Sequence, residues 1–92
     1  ERIVQLGGIA EGTLKAVGKR SQLPEYPLTI SNGHDHVAAL AHSLASYGES
    51  IRTGIRNADE IDDYDTTDLL TEVSRGIDQY LWFVEAHTQA AR

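Results

Sequence analysis

An all-α bundle is the fold class that this 92-residue sequence predicts, on three observations. Apolar residues recur at three-and-four spacing in three separate stretches. No segment alternates with period two, so no sheet is expected. One connection runs about fifteen residues, where neighbouring helices usually need roughly 2–8, and that length suits a crossover along a bundle.

The first stripe is Ile3, Leu6, Ala10, Leu14 and Val17, one face of a single helix. Glu1 and Arg2 already sit in its register and no capping residue precedes them. The expectation is therefore a helix entered partway, within a four-helix bundle whose first helix and part of whose second lie upstream. Gly7 and Gly8 fall inside this expected helix and weaken it by about 1 kcal/mol each relative to Ala. Close packing against a neighbour is the simplest reason for such a pair, and a local bend is the second.

The pattern breaks over residues 18–33. Pro24 and Pro27 restrict the residues before them, and Ser21, Ser31 and Asn32 supply turn chemistry. Tyr26, Leu28 and Ile30 are placed to pin this connection onto the bundle surface. Asn32 is the expected cap of the next helix, with Asp35 as its capping-box partner. That helix carries Val37, Leu40, Ala41, Leu44, Tyr47, Gly48, Ile51, Ile55 and Ala58, about seven turns and longer than the globular average. Ala38, Ala41, Ala45 and Gly48 thin one side for close approach.

Residues 59–65 read as an acidic turn containing Asp62 and Asp63. Asp65 is the expected N-cap of the last helix, with Asp68 at its third position, where negative charge suits the helix dipole. The last stripe is Leu69, Leu70, Val73, Ile77, Leu81, Val84 and Thr88, flanked by Tyr80 and Phe83. So wide an apolar face implies contact on more than one side, by bundle partners and another subunit.

Eight Lys and Arg against fourteen Asp and Glu give a formal net charge of -6. Such a surface attracts cations and repels phosphate backbones, which lowers the prospect of nucleic-acid binding by this part alone. There is no Cys, hence no disulfide and no thiolate metal site. No apolar run approaches the ~20 residues of a membrane span and nothing resembles a signal peptide, so the expected compartment is the cell interior.

His34 and His36 bracket Asp35 but do not share a helix face, and a solvated helix start accounts for them. His87 belongs to no His-Glu-x-x-His pattern, and no EF-hand loop occurs. Glu72, Arg75 and Asp78 have the spacing of a helical ion-pair network. Trp82 beside Phe83 reads as packing rather than redox chemistry. Asp59, Glu60, Asp62, Asp63, Asp65 and Asp68 place six carboxylates within residues 59–68. In isolation they make a solvated turn and a cap; arranged in a ring about a symmetry axis they would concentrate metal cations.

Four segments carry a sharper signal. Residues 1–13, E-R-I-V-Q-L-G-G-I-A-E-G-T, resemble the second bundle helix of the Dps family of mini-ferritins. Residues 26–30, Y-P-L-T-I, resemble that family's middle connection. Residues 65–72, D-T-T-D-L-L-T-E, and 81–87, L-W-F-V-E-A-H, resemble its last helix. The resemblance implies a ferritin-like four-helix bundle with a short helix in the middle connection. Residues 1–92 would be the C-terminal portion of one such domain, supplying part of the second helix, the connection, and the third and fourth helices.

It further implies a hollow homododecamer of identical subunits, completed by the N-terminal segment of the same protein, that oxidises ferrous iron with hydrogen peroxide and stores ferric mineral. Protection of DNA in the cytoplasm or at the nucleoid is part of that implication, although T-Q-A-A-R at the end contributes only Arg92 toward binding DNA. The family's dinuclear iron site takes histidines from one subunit and an Asp and a Glu from another. The Glu that directly precedes Arg in the pattern is Glu1. Its Asp is expected one helical turn upstream, where both carboxylates share a face. None of His34, His36, His42 and His87 is expected to stand in for the histidines. Trp82 is implied at most as nearby packing. The family's acidic iron-entry channels lie near the start of the last helix, which points to Asp65 and Asp68, with Asp62 and Asp63 beside them. The alternatives are a helical shell without iron oxidation and an acidic interaction module unrelated to iron.

Overall fold

The computed structural model describes residues 1–90; Arg92, on which the DNA expectation for the C-terminal end rested, lies outside the described residues. These form four helices, α1 (Arg2–Gln5), α2 (Leu14–Arg20), α3 (Gly33–Glu60) and α4 (Tyr64–Ala90), with no strand among the described residues. The all-helical expectation holds, and the first element requires a correction.

The stripe from Ile3 to Val17 is two helices, not one. α1 stops because Gly7 takes φ +89°, the left-handed conformation that glycine adopts without a Cβ penalty. The Gly8 N–H donates to the Ile3 carbonyl at 2.9 Å and the Gly7 N–H to the Val4 carbonyl at 3.0 Å. That nested pair is a Schellman motif, so the glycine pair is a helix stop and neither a packing notch nor a bend within a continuing helix. Thr13 then restarts the chain: its Oγ1 accepts from the Ala16 N–H at 3.2 Å and caps α2. Arg20 in the last turn of α2 pairs with Glu11 at 2.6 Å. α2 lies ahead of the proline-rich stretch, mostly before the expected connection of residues 18–33.

α3 begins where the cap predicts. The Asn32 Oδ1 accepts from the Asp35 N–H at 2.8 Å, and the Asn32 Nδ2 donates back to the Asp35 Oδ2 at 2.8 Å. The connection is held here by Tyr26, whose ring stacks on His36 with centroids 5.8 Å apart and whose hydroxyl lies 2.6 Å from the His36 Nδ1. Ile30 is half-buried as expected, whereas Leu28 projects into solvent at 87% exposure.

α3 and α4 form a helical hairpin. A Cβ on Gly48 would lie 3.7 Å from the Ile77 Cγ2, and one on Gly54 would lie 3.1 Å from the Leu70 Cδ1. Of these two glycines Gly54 is the more tightly met by an α4 side chain, and Ala58 near the hairpin end is 6% exposed. Gly48 and Ala58 are the only buried residues among those described.

The turn is tighter than expected because α3 continues through Asp59 and Glu60. Asp62 is left-handed at φ 58°; its N–H donates to the Asp59 carbonyl at 3.0 Å and the Asp63 N–H to the Ala58 carbonyl at 2.9 Å. This second Schellman motif ends α3 with an Asp in place of glycine. α4 begins at Tyr64, so its cap is Asp63 and not Asp65.

The described chain is a layer rather than a closed core. Its extents are 47 × 29 × 18 Å and its radius of gyration is 15.9 Å, against about 12 Å for a compact chain of this length. Its accessible surface is 7400 Å², about 2,100 Å² more than a folded monomer of this mass presents. Leu69, Tyr80 and Phe83 of α4 stay 40–58% exposed. No helix among the described residues is long and apolar enough to cross a membrane.

Candidate functional site

The acidic corner between α3 and α4 is organised by Asp63. Its Oδ1 accepts from the Thr66 N–H at 3.1 Å and its Oδ2 from the Thr66 hydroxyl at 2.6 Å, which caps α4. Its Oδ1 also accepts from the Arg2 Nη2 at 2.9 Å, while the Arg2 Nε donates to the Thr66 Oγ1 at 3.0 Å. Arg2 thereby fastens α1 to the start of α4. These donors favour the carboxylate, so the Asp63 pKa lies below its ordinary 3.8: the Thr66 hydroxyl has the largest effect, then the Thr66 amide; partial desolvation opposes them, and the hydrogen bond and charge of Arg2 lower it further by smaller amounts.

The other acidic residues are differently placed. Asp62 is exposed and accepts from the Tyr64 hydroxyl at 3.1 Å. Asp65 and Asp68 are exposed in the first two turns of α4 and carry no ion pair among the described residues. Glu1 is exposed at the start of α1 with no side-chain capping bond. It lines a cleft of about 360 Å³ together with Arg2, Gln5, Asp65 and Leu69. The fold thus brings Glu1 and Asp65, 64 positions apart in sequence, to one cleft. Asp68 does not line it.

Carboxylate oxygens are hard ligands suited to iron, and Glu1 and Asp65 both offer them. No three His, Cys, Asp or Glu side chains among the described residues converge in a metal-holding group. Of the histidines, His36 is engaged by Tyr26, and the His87 Nδ1 sits 3.0 Å from the Phe83 carbonyl. Glu72, Arg75 and Asp78 are exposed and form no ion pair among the described residues, so the expected pairing is not made within the chain. Trp82 is 64% exposed and tilts against Phe83 at 5.1 Å.

Sequence reasoning missed Arg2 and Thr66. D-x-x-T at residues 63–66 has the spacing of a cap and its third helical position, the one signal that could have found Thr66. Nothing local marks the role of Arg2 at the corner, because its partners there lie 61 and 64 positions away.

A ferritin-like domain model matches residues 1–92. Over 89 residues, 97% of the chain, the sequence is 45% identical to the DNA protection during starvation protein of Agrobacterium fabrum. The aligned part is 55% of that relative, so the chain spans about half its length. The chain belongs to the ferritin-like family, among its Dps members.

Proposed function

We propose that this chain is the C-terminal portion of a ferritin-like subunit which, in the full-length protein, oxidises ferrous iron with hydrogen peroxide and stores the ferric product inside a homododecameric shell. The observation that carries this reading is 45% identity across 97% of the chain to a DNA protection during starvation protein. The E-R pair of the family pattern stands at Glu1 and Arg2. About 2,100 Å² of surface beyond that of a folded monomer is available to the upstream helices of the same subunit and to other subunits.

Two ferrous ions each give up one electron, and the O–O bond of one peroxide accepts both and leaves as two hydroxides. Iron is the substrate. Glu1 supplies oxygen ligation, and the upstream Asp with histidines from a second subunit completes the dinuclear centre. Consuming ferrous iron and peroxide together removes the two reactants that would generate radicals near DNA. With a net charge of -6 the chain repels phosphate, which favours protection by this chemistry over a direct grip on DNA by these residues.

The exposed Asp65 and Asp68 form the iron-entry region, with Asp62 and Asp63 beside them at the corner. Asp62, Asp65 and Asp68 attract ferrous iron electrostatically without holding it, whereas the Asp63 carboxylate is paired with Arg2 at 2.9 Å. In the full-length protein, Asp65→Asn with Asp68→Asn is expected to slow iron uptake at low salt while light scattering reports an unchanged particle mass. Uptake at the wild-type rate would refute the channel assignment. Particles that fail to consume ferrous iron when given peroxide would refute the oxidation itself.

A further inference from the structure

Arg2 fixes more than the end of a helix. Three of its N–H groups are directed, the Nε to Thr66, the Nη2 to Asp63 and the Nη1 to the Gln5 Oε1 at 3.3 Å. A planar guanidinium held at several donors is constrained in orientation as well as distance. Two of its acceptors are tied into the corner: the Asp63 N–H closes the turn after α3, and the Asp63 carboxylate caps α4 through the Thr66 N–H and hydroxyl. Apolar packing within the described chain does little to place α1, because Ile3, Val4 and Leu6 are all more than half exposed.

Glu1 directly precedes Arg2, with its Cα about 3.8 Å away, so pinning Arg2 restricts where the Glu1 backbone lies at the start of α1. The same contact also settles the charge. Arg2 lines the cleft beside Glu1 and Asp65, and an uncompensated guanidinium there would repel an arriving dication. Asp63 cancels it at 2.9 Å.

We propose that Arg2, Asp63 and Thr66 form the positioning element for Glu1, holding its carboxylate at the cleft and neutralising the cationic charge beside incoming ferrous iron. The proposal rests on the reading of Glu1 as an iron ligand. Arg2 and Asp63 are positioning residues and take no part in electron transfer.

The test uses the assembled full-length protein and initial rates of peroxide-dependent ferrous oxidation at varied iron. Asp63→Asn keeps an oxygen for the Thr66 amide, so the helix start survives, while the charge is lost. Arg2→Lys keeps the charge and loses the fork. Each is expected to raise the apparent KM for ferrous iron about ten-fold, the usual effect of removing a group that orients a metal ligand. kcat is expected to stay within about two-fold in particles of normal mass. Because the two residues act as one unit, the double variant should be no worse than the poorer single one. The Asp63→Asn effect should shrink with added salt, as a charge effect does. Wild-type KM in assembled particles, or a defect confined to melting temperature and particle yield, overturns the proposal. Should Asp63→Asn fail to assemble, Arg2→Lys decides alone. A Glu1→Gln control separates the two ideas: if it oxidises iron normally, the ligand reading falls and takes this proposal with it. If it is inactive while Asp63→Asn and Arg2→Lys behave as wild type, only the positioning proposal falls.

Discussion

Gly48 and Gly54 of α3 each lie against a side chain of α4, yet replacing each by Ala is expected to have different outcomes. Both changes relieve a glycine inside a helix, a gain of about 1 kcal/mol. At Gly48 the new methyl would sit 3.7 Å from the Ile77 Cγ2, an ordinary contact. It would also lie 3.3 Å from the Arg52 Nη1, the free end of an exposed side chain that can swing aside. Gly48→Ala should therefore keep the full gain. At Gly54 the methyl would meet the Leu70 Cδ1 at 3.1 Å, so Leu70 must shift by a few tenths of an ångström within the hairpin interface. Overpacking of this kind costs about 1–3 kcal/mol, which cancels or reverses the gain. The two variants should differ by about 1–2 kcal/mol or more, a factor of at least five in local opening, read as amide hydrogen exchange along α3 at fixed protein concentration. Equal protection in the two variants would show that α3 and α4 do not approach at Gly54, and the hairpin register would be wrong.

Two further predictions concern the helix starts. Asn32→Ala removes both bonds to Asp35 and should cost about 1 kcal/mol, seen as roughly five-fold faster exchange of the first α3 amides; unchanged exchange would refute the cap. The lowered pKa of Asp63 carries a signed pH dependence. Its stabilising contribution is complete above the ordinary value of 3.8 and is lost as pH falls through the lower folded-state value. The stability advantage of wild type over Asp63→Asn in denaturant should accordingly narrow only in strong acid. An advantage that is already shrinking well above pH 3.8 would contradict the assigned direction.

The elements that could be read from sequence are those whose signals are local and repeated. α3 announced itself through the Asn32–Asp35 cap and a stripe that persists to Ala58, and α4 through Leu70, Val73, Ile77, Leu81 and Val84. The errors came where one pattern fits two structures. Ile3, Leu6, Ala10, Leu14 and Val17 keep helical spacing across a break, and only the left-handed Gly7 together with the Thr13 cap separates two helices from one. Asp63 and Asp65 are the same side chain two positions apart, and Asp63 caps because the α3 Schellman turn closes at Asp62. The candidate site was less legible for a different reason. Arg2 finds Asp63, and Glu1 finds Asp65, only through the fold, and no spacing rule reaches across 60 residues of chain. The wide face of α4 was legible as a surface needing neighbours, but not which neighbours those are.

The central claim is that Glu1 holds iron in the assembled protein. It is tested most directly by comparing ferrous-iron binding and peroxide-dependent oxidation in full-length wild type and Glu1→Gln, with particle mass measured on the same samples. The account predicts at least a ten-fold loss of iron affinity or oxidation rate, as for removal of a metal ligand or its support, in particles of unchanged mass. Wild-type binding and oxidation by intact Glu1→Gln particles would contradict it.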